Sequence, residues 1–432
     1  MRILLVNPPN AGRSIPEETY GIGSIKQMMR GEPLALEVLA GNLPEHEVVI
    51  LDLKVAPTSL AEETRRFKPD LVGITGTTCE ANTMVRLARE TKAHSGARVA
   101  VGGVHASLDP AFFNVKDIDF VVVGLAKQSF RELVEVLESG EPLHEDIPGV
   151  AKTDPGKGLR LKPRAYRTAD LVDDAPPRYD LVDPYREAYF LPSLNMKVGF
   201  VSTAFGCPYA CAFCSIGAVS GHRYLTHSVS AVLRDIEALG DIPFIRLVDA
   251  NTFGNVAHSF DLCRTISDAG IHKNYVADVR ADSVIDHPDL FREWKAVGLR
   301  AVVVGFEEIS DLRLTHLNKK SSIAKNEKAI DTLHEMGITI VGDFIISPDY
   351  TRDDFAELEQ FVADSRIDIP MFSVLTPVPG TPLYEQVKDR IVVHDLDYYT
   401  LTNAVVPTTL DPGTFYGLYA DLMNRFHANV GI

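Results

Sequence analysis

The sequence predicts an α/β protein made of two parallel-sheet units in succession: a doubly wound N-terminal domain, then a partial (β/α)6 barrel followed by a short helical element. Three observations carry this expectation. Short apolar, β-branched runs alternate with helical patterns along most of the chain, as parallel strands covered on both faces do. The alternation stops once, in a stretch rich in Pro, Asp and Arg. The chain has 432 residues, more than one ordinary domain holds, so two or three cores are expected.

In the first unit, strands are expected at Arg2–Val6, Val48–Leu53, Leu71–Thr75, Arg98–Val101 and Phe120–Val123. Helical stretches near Leu34–Asn42, Leu60–Phe67, Ala81–Ala93 and Ser129–Ser139 separate them, giving a doubly wound, Rossmann-like domain over residues 1–140. Residues 141–191, centred on Asp173-Asp174-Ala175-Pro176-Pro177, read as an ordered linker. Alternation resumes with Val198–Ser202, Phe244–Val248, Asn274–Asp278, Ala301–Gly305, Ile338–Ile346 and Met371–Leu375. Helical stretches such as Val229–Leu239 and Ile323–Met336 lie between them. Six strands with crossovers over residues 192–390 read as an incomplete barrel of the TIM type, with its chemistry at the strand C-terminal ends, although pattern alone leaves an open sheet standing. Residues 391–432 carry one amphipathic helix around Phe415–His427 and read as a lid or closing element.

Composition narrows the function. Hydrophobic residues at 45% and charged residues at 24% are ordinary for a folded chain. A net charge of −16 repels phosphate backbones, and no Lys/Arg cluster offsets it, so nucleic acid is not expected as a partner. A small or uncharged substrate fits better. No apolar run reaches the roughly 18 to 20 residues that cross a bilayer, and Met1–Pro9 reads as a strand rather than a signal peptide, so a cytoplasmic address is expected. Five cysteines, an odd number, read as reduced thiols rather than a disulfide framework.

Three of those cysteines form Gly206-Cys207-Pro208-Tyr209-Ala210-Cys211-Ala212-Phe213-Cys214, on a loop after a strand. Three soft thiolates at this spacing can hold three corners of an iron-sulfur cube and leave one iron open to a ligand. The alternative is a zinc site, for which His222 is the near candidate for a fourth ligand. Cys79 and Cys263 stand alone and read as buried thiols, so a single cluster is expected.

This loop resembles the signature of the radical S-adenosylmethionine superfamily, with Cys207, Cys211 and Cys214 as the ligands of a [4Fe-4S] cluster and Phe213 before the last cysteine. The resemblance spans roughly Lys197 to Tyr384. It implies that the open iron binds S-adenosylmethionine and that one electron cleaves it to a 5′-deoxyadenosyl radical, which takes hydrogen from unactivated carbon. A reducing partner such as flavodoxin or ferredoxin goes with that chemistry. The same resemblance places Phe213 near the adenine and Glu307 of Gly305-Phe306-Glu307-Glu308 by the methionine amino group. It offers Asp249, Asn251 and Arg280 as ribose and carboxylate partners; as strand-end polar residues, they could equally cap helices or pair with one another.

Ahead of the barrel, Met1–Pro9, Gly73-Ile74-Thr75-Gly76-Thr77, Val101-Gly102-Gly103-Val104-His105 and Val121-Val122-Val123-Gly124 together resemble the cobalamin-binding domain of one large radical enzyme class. Thr75, Gly102, Gly103, His105 and Gly124 are the candidate corrin contacts. The Asp-x-His-x-x-Gly motif is absent, so cobalamin is expected without a histidine on cobalt, and His105 is expected to satisfy backbone or corrin side chains. Leu125-Ala126-Lys127 departs from the acidic residues of many relatives. A sheet kept for substrate binding or dimerisation is the plain reading of the domain. With cobalamin, the class implies methylation of an unactivated carbon or a phosphorus in a small-molecule or lipid-like metabolite. Cyclisation, ring contraction or oxidation with the same cofactors is the alternative, and a cobalamin or cluster sensor a distant third. A methylthiotransferase is disfavoured because no basic RNA-binding region closes the chain.

Overall fold

The computed structural model describes residues 1–22, 31–140, 147–191 and 196–427. The boundaries expected at 140/141 and 191/192 border segments outside the described residues, as does the end of the C-terminal element at 428–432.

The first sheet holds six strands, β1 (Arg2–Asn7), β2 (Glu47–Asp52), β3 (Leu71–Ile74), β4 (Arg98–Val101), β5 (Phe120–Val122) and β6 (Val150–Lys152). Their order is β2-β1-β3-β4-β5-β6, parallel up to β5. Ile3 to Val6 are fully buried, as strands covered on both faces require. The sheet does not stop at Gly140: β6 pairs with β5 antiparallel, so the expected linker supplies an edge strand. Three apolar residues or fewer give no readable period, which is why the sequence hides it.

The remaining strands are β7 (Phe190–Leu191), β8 (Met196–Val201), β9 (Ala204–Gly206), β10 (Tyr224–Thr226), β11 (Phe244–Leu247), β12 (Asn274–Val279), β13 (Leu299–Glu307), β14 (Thr339–Ile346) and β15 (Ile369–Val374). Seven of them form one sheet in the order β15-β14-β13-β12-β11-β8-β7, parallel except for β7. Its ends do not meet, so the barrel is a half-barrel, while β9 and β10 pair apart from it. Side-chain caps start the crossover helices: Ser228 before Val229–Ala238, Asn255 before Val256–Asp268 and Ser322 before Ile323–Glu335. Between helices and sheet lies a core centred on Trp294, Phe253, Phe291 and Tyr275.

The C-terminal helix Pro412–His427 packs against this sheet. Phe415 stacks edge-on against Phe355 at 5.6 Å, and the Tyr419 hydroxyl donates to the Phe372 carbonyl of β15 at 3.1 Å. The helix therefore closes the β15 edge. Among the described residues no helix is long and apolar enough to cross a membrane.

Candidate active site

The three cysteines follow β9 on a loop whose shape the backbone dictates. Gly206 holds φ +86°, and a Cβ there would fall 1.9 Å from the Arg223 carbonyl, so only glycine fits. Three contacts pin the loop from outside: Ala212 N–H donates to Leu317 O at 2.9 Å, Leu383 N–H to Ala212 O at 2.9 Å, and Asn318 Nδ2 to Ala210 O at 2.6 Å. Cys207, Cys211 and Cys214 are all half-buried free thiols. Burial pushes Cys214 up to about 11 and also raises Cys211, so the thiolate forms call for a cation beside them. Cys211 and Cys214 line a cavity of about 340 Å³ with Tyr209, His222 and Thr381. No three His, Cys, Asp or Glu side chains among the described residues converge where a single ion could sit. Thiolates that each take a different corner of a cube need no such convergence, so the donor set fits a cluster.

Asp249, at the end of β11, is 3% exposed and engaged by the chain itself. It accepts from Ser202 Oγ at 3.1 Å, Thr203 N–H at 2.8 Å, Thr203 Oγ1 at 2.7 Å and Ala204 N–H at 2.8 Å. The structure makes it a positioning residue for the turn into β9 and the cysteine loop. Asn251 is the opposite case. Its amide is buried at 1% exposure, and neither Oδ1 nor Nδ2 has a partner among the described residues, an arrangement costing about 1–3 kcal/mol unless a ligand completes it.

Arg280 follows β12. Asp282 holds its Nε at 3.0 Å, the Lys319 carbonyl accepts from Nη2 at 2.8 Å, and the guanidinium lies over the Tyr209 ring at 3.7 Å, which ties it to the cysteine loop. At the end of β13 the register with β14 shifts between Gly305 and Glu307, and Glu307 adopts φ +68°, a region that non-glycine residues rarely enter. Its carboxylate pairs with Lys319 Nζ at 2.5 Å, and a Cβ on Gly305 would come 2.3 Å from Glu307 Oε1. Glu308 points elsewhere, to the Tyr350 hydroxyl at 2.7 Å, and burial lifts it to about 7. Phe213 is half-buried between Ala212 and Cys214.

Sequence reasoning missed the polar layer beneath these groups. Arg246 of β11 reaches Asp278 of β12 at 2.7 Å, and burial raises Asp278 to about 6. Asp343 of β14, opposite Gly305, is raised to about 7 by burial and by the nearby Glu307 and Asp278 charges. Lys319, the partner of Glu307, was also missed; its Leu317-Asn318-Lys319 setting carries no motif that would single it out.

In the N-terminal domain, Thr75, Gly102, Gly103 and Gly124 meet at the C-terminal ends of β3, β4 and β5 and line one cavity of about 350 Å³. Gly103 holds φ +92°, with a would-be Cβ 2.6 Å from Thr75 Oγ1; Gly124 holds φ +72°, packed under Tyr166. The wall is mostly apolar and opens toward Ser202, Phe205 and Val248 of the half-barrel, a cradle that fits part of a large flat cofactor held between the domains. His105 does not share this wall. Its ring is fully buried, packed edge-on against Phe112 at 5.1 Å and Phe113 at 5.6 Å, and burial lowers it to about 4, with neither nitrogen partnered among the described residues. The helix Val104–Leu108 that begins right after Gly103 turns it inward, so the expected corrin contact at His105 is corrected. Lys127 lines the cavity but spends its ammonium on the Val172 and Ala175 carbonyls at 2.9 and 3.4 Å.

Comparison with known proteins matches these two regions. The B12 binding domain family covers residues 25–134 and the radical SAM superfamily residues 201–362. A hopanoid C-3 methylase of Methylococcus capsulatus is 28% identical over 404 residues, 91% of this chain and 76% of that protein. An uncharacterized methyltransferase of Pyrococcus horikoshii is 30% identical over 403 residues, 89% of this chain and 83% of that protein. The structure of the radical S-adenosylmethionine methyltransferase TsrM from Kitasatospora setae, with cobalamin and a [4Fe-4S] cluster bound, aligns with TM-score 0.75 at 19% identity. It covers 98% of this chain and 90% of that one, a likeness of fold.

Proposed function

Since the chain belongs to the cobalamin-binding radical S-adenosylmethionine enzymes, we propose that it methylates an unactivated carbon of a lipid-like small molecule, using a [4Fe-4S] cluster, S-adenosylmethionine and cobalamin. One observation carries the reading: a methylase relative matches 91% of the chain, across both the cysteine loop and the glycine-lined cavity. When bound, the cluster supplies an electron to S-adenosylmethionine and the corrin carries the methyl group.

The chain's own residues bind, orient and exclude water. Cys207, Cys211 and Cys214 hold the cluster. Asp249 fixes the turn that aims them. Glu307, paired with Lys319, takes the methionine ammonium; the Asn251 amide and the Arg280 guanidinium take ribose and carboxylate groups; Phe213 lies by the adenine, and Gly305 leaves room for the Glu307–Lys319 pair. Thr75, Gly102, Gly103 and Gly124 admit the corrin by close backbone approach. The electron comes from an external donor of the flavodoxin or ferredoxin kind, and free thiols suit a reducing, cytoplasmic setting.

The test is anaerobic turnover of reconstituted, reduced enzyme with methyl-labelled S-adenosylmethionine and a panel of hopanoid-like and porphyrin-like acceptors. The expected product gains the labelled methyl. A product that loses hydrogen and gains no label would move the assignment to ring chemistry.

A further inference from the structure

The segment between the domains carries a pair that the functional reading leaves unused. Asp173, at its centre, reaches across to the half-barrel: Oδ1 meets His227 Nδ1 at 2.6 Å, and Oδ2 accepts from the Ser228 N–H at 2.6 Å. The Asp173 carbonyl takes Arg234 Nη1 at 2.6 Å, while the adjacent Val172 carbonyl takes Lys127 of the first domain, so the segment is stitched to both sides. Burial opposes the Asp173 charge, but the His227 and Ser228 hydrogen bonds prevail and hold it near about 2.

His227 is fixed in turn. Its N–H donates to the Thr203 carbonyl at 2.9 Å and its carbonyl accepts from His258 Nε2 at 2.8 Å. A carboxylate can only accept, so the proton of a neutral imidazole sits on Nδ1, and Nε2 is left as an acceptor. That nitrogen has no hydrogen-bond partner among the described residues, and the ring lines the same cavity as Thr75, Gly102, Gly103 and Gly124. A carboxylate behind an imidazole is how proteins set a histidine toward a ligand. Around it the cavity wall is mainly apolar, so a ligand polar group at this point has few other partners. The corrin periphery bears primary amides, whose N–H groups are donors of the right kind.

We propose that His227, positioned by Asp173, is the half-barrel's contact to the cobalamin, with Nε2 accepting a hydrogen bond from a corrin side-chain amide. The contact closes the cofactor between the two domains and does the work the sequence assigned to His105. It rests on the corrin reading above.

The test is hydroxocobalamin affinity of the cluster-loaded protein by equilibrium dialysis, for wild type, His227→Phe, Asp173→Asn and the double variant, with iron content and circular dichroism as folding controls. A lost buried hydrogen bond predicts about a tenfold weaker affinity for His227→Phe, and no further loss in the double variant, because Asp173 acts through His227. Wild type that retains no corrin sinks the functional reading itself. Wild type that binds, with His227→Phe binding equally well, overturns the contact alone. Losses that add in the double variant overturn the positioning role of Asp173. Electron paramagnetic resonance of the cob(II)alamin form separates the remaining case: nitrogen splitting that responds to 15N-histidine and vanishes in His227→Phe would mean cobalt ligation and overturn the amide contact.

Discussion

Glu307 and Lys319 form a buried ion pair at 2.5 Å, and Glu307 meets its partner only by taking φ +68° at a β-bulge. Both side chains are nearly enclosed, at 10% and 9% exposure, so neither charge is hydrated well enough to stand alone. Lys319→Met is expected to destabilise the protein by about 3 kcal/mol in urea unfolding, while adding Glu307→Leu recovers most of that loss. A double variant as unstable as the single one would show that the pair is not an isolated unit. Glu307→Gln leaves the Lys319 ammonium without its anion and should cost stability as well as weaken S-adenosylmethionine binding.

Asp249 links β11 to the turn that starts the cysteine loop through four accepted hydrogen bonds. In Asp249→Ala the Thr203 and Ala204 N–H donors lose the oxygen they share, at a cost of about 1–3 kcal/mol. The expected readout is a reconstituted protein that loses iron on gel filtration yet keeps its circular dichroism. Iron retention equal to wild type would mean the turn holds without the carboxylate.

Cys79 and Cys263 are not near a second cysteine cluster, and burial raises both thiols, Cys263 to about 12. Iron after anaerobic reconstitution should therefore approach that of one [4Fe-4S] cluster per chain and fall sharply in Cys211→Ala. Twice that iron would reveal a second cluster.

Asp343 and Glu308 are both raised to about 7 by burial, from ordinary values of 3.8 and 4.5. Each binds more protons folded than unfolded across that window, so each contributes stability that is present below its unfolded pKa and lost as pH rises toward 7. His105 works in the opposite sense, since burial lowers it. The expectation is therefore framed as a difference: Asp343→Asn should gain stability relative to wild type as pH goes from about 5 to about 7.5 in apo protein. A difference that is flat or reversed would contradict the buried, protonated carboxyl.

The strands and the cysteine loop were legible because their signals are local: apolar runs of four to six residues, and three thiols on one turn. Whether the second sheet closes was not legible, because strand pairing across the half-barrel involves residues far apart in the chain. The β6 strand was too short to read. His105 misled because Gly-Gly promises a ligand-facing loop, whereas the helix begun at Val104 turns the ring into the Phe112–Phe113 cluster. Asp173 and His227 lie 54 residues apart and carry no motif, so only folding brings them together. Asn251 and Glu307 were singled out as strand-end polar residues, but the unpartnered amide and the Lys319 pair that set their chemistry needed coordinates.

The most direct test of the account is product analysis of reduced, cluster- and cobalamin-loaded enzyme given S-adenosylmethionine and an accepted substrate. The account predicts 5′-deoxyadenosine and S-adenosylhomocysteine together, the first from radical formation and the second from methyl donation, with both lost in Cys211→Ala or without reductant. Formation of 5′-deoxyadenosine with no S-adenosylhomocysteine would contradict methyl transfer through the corrin.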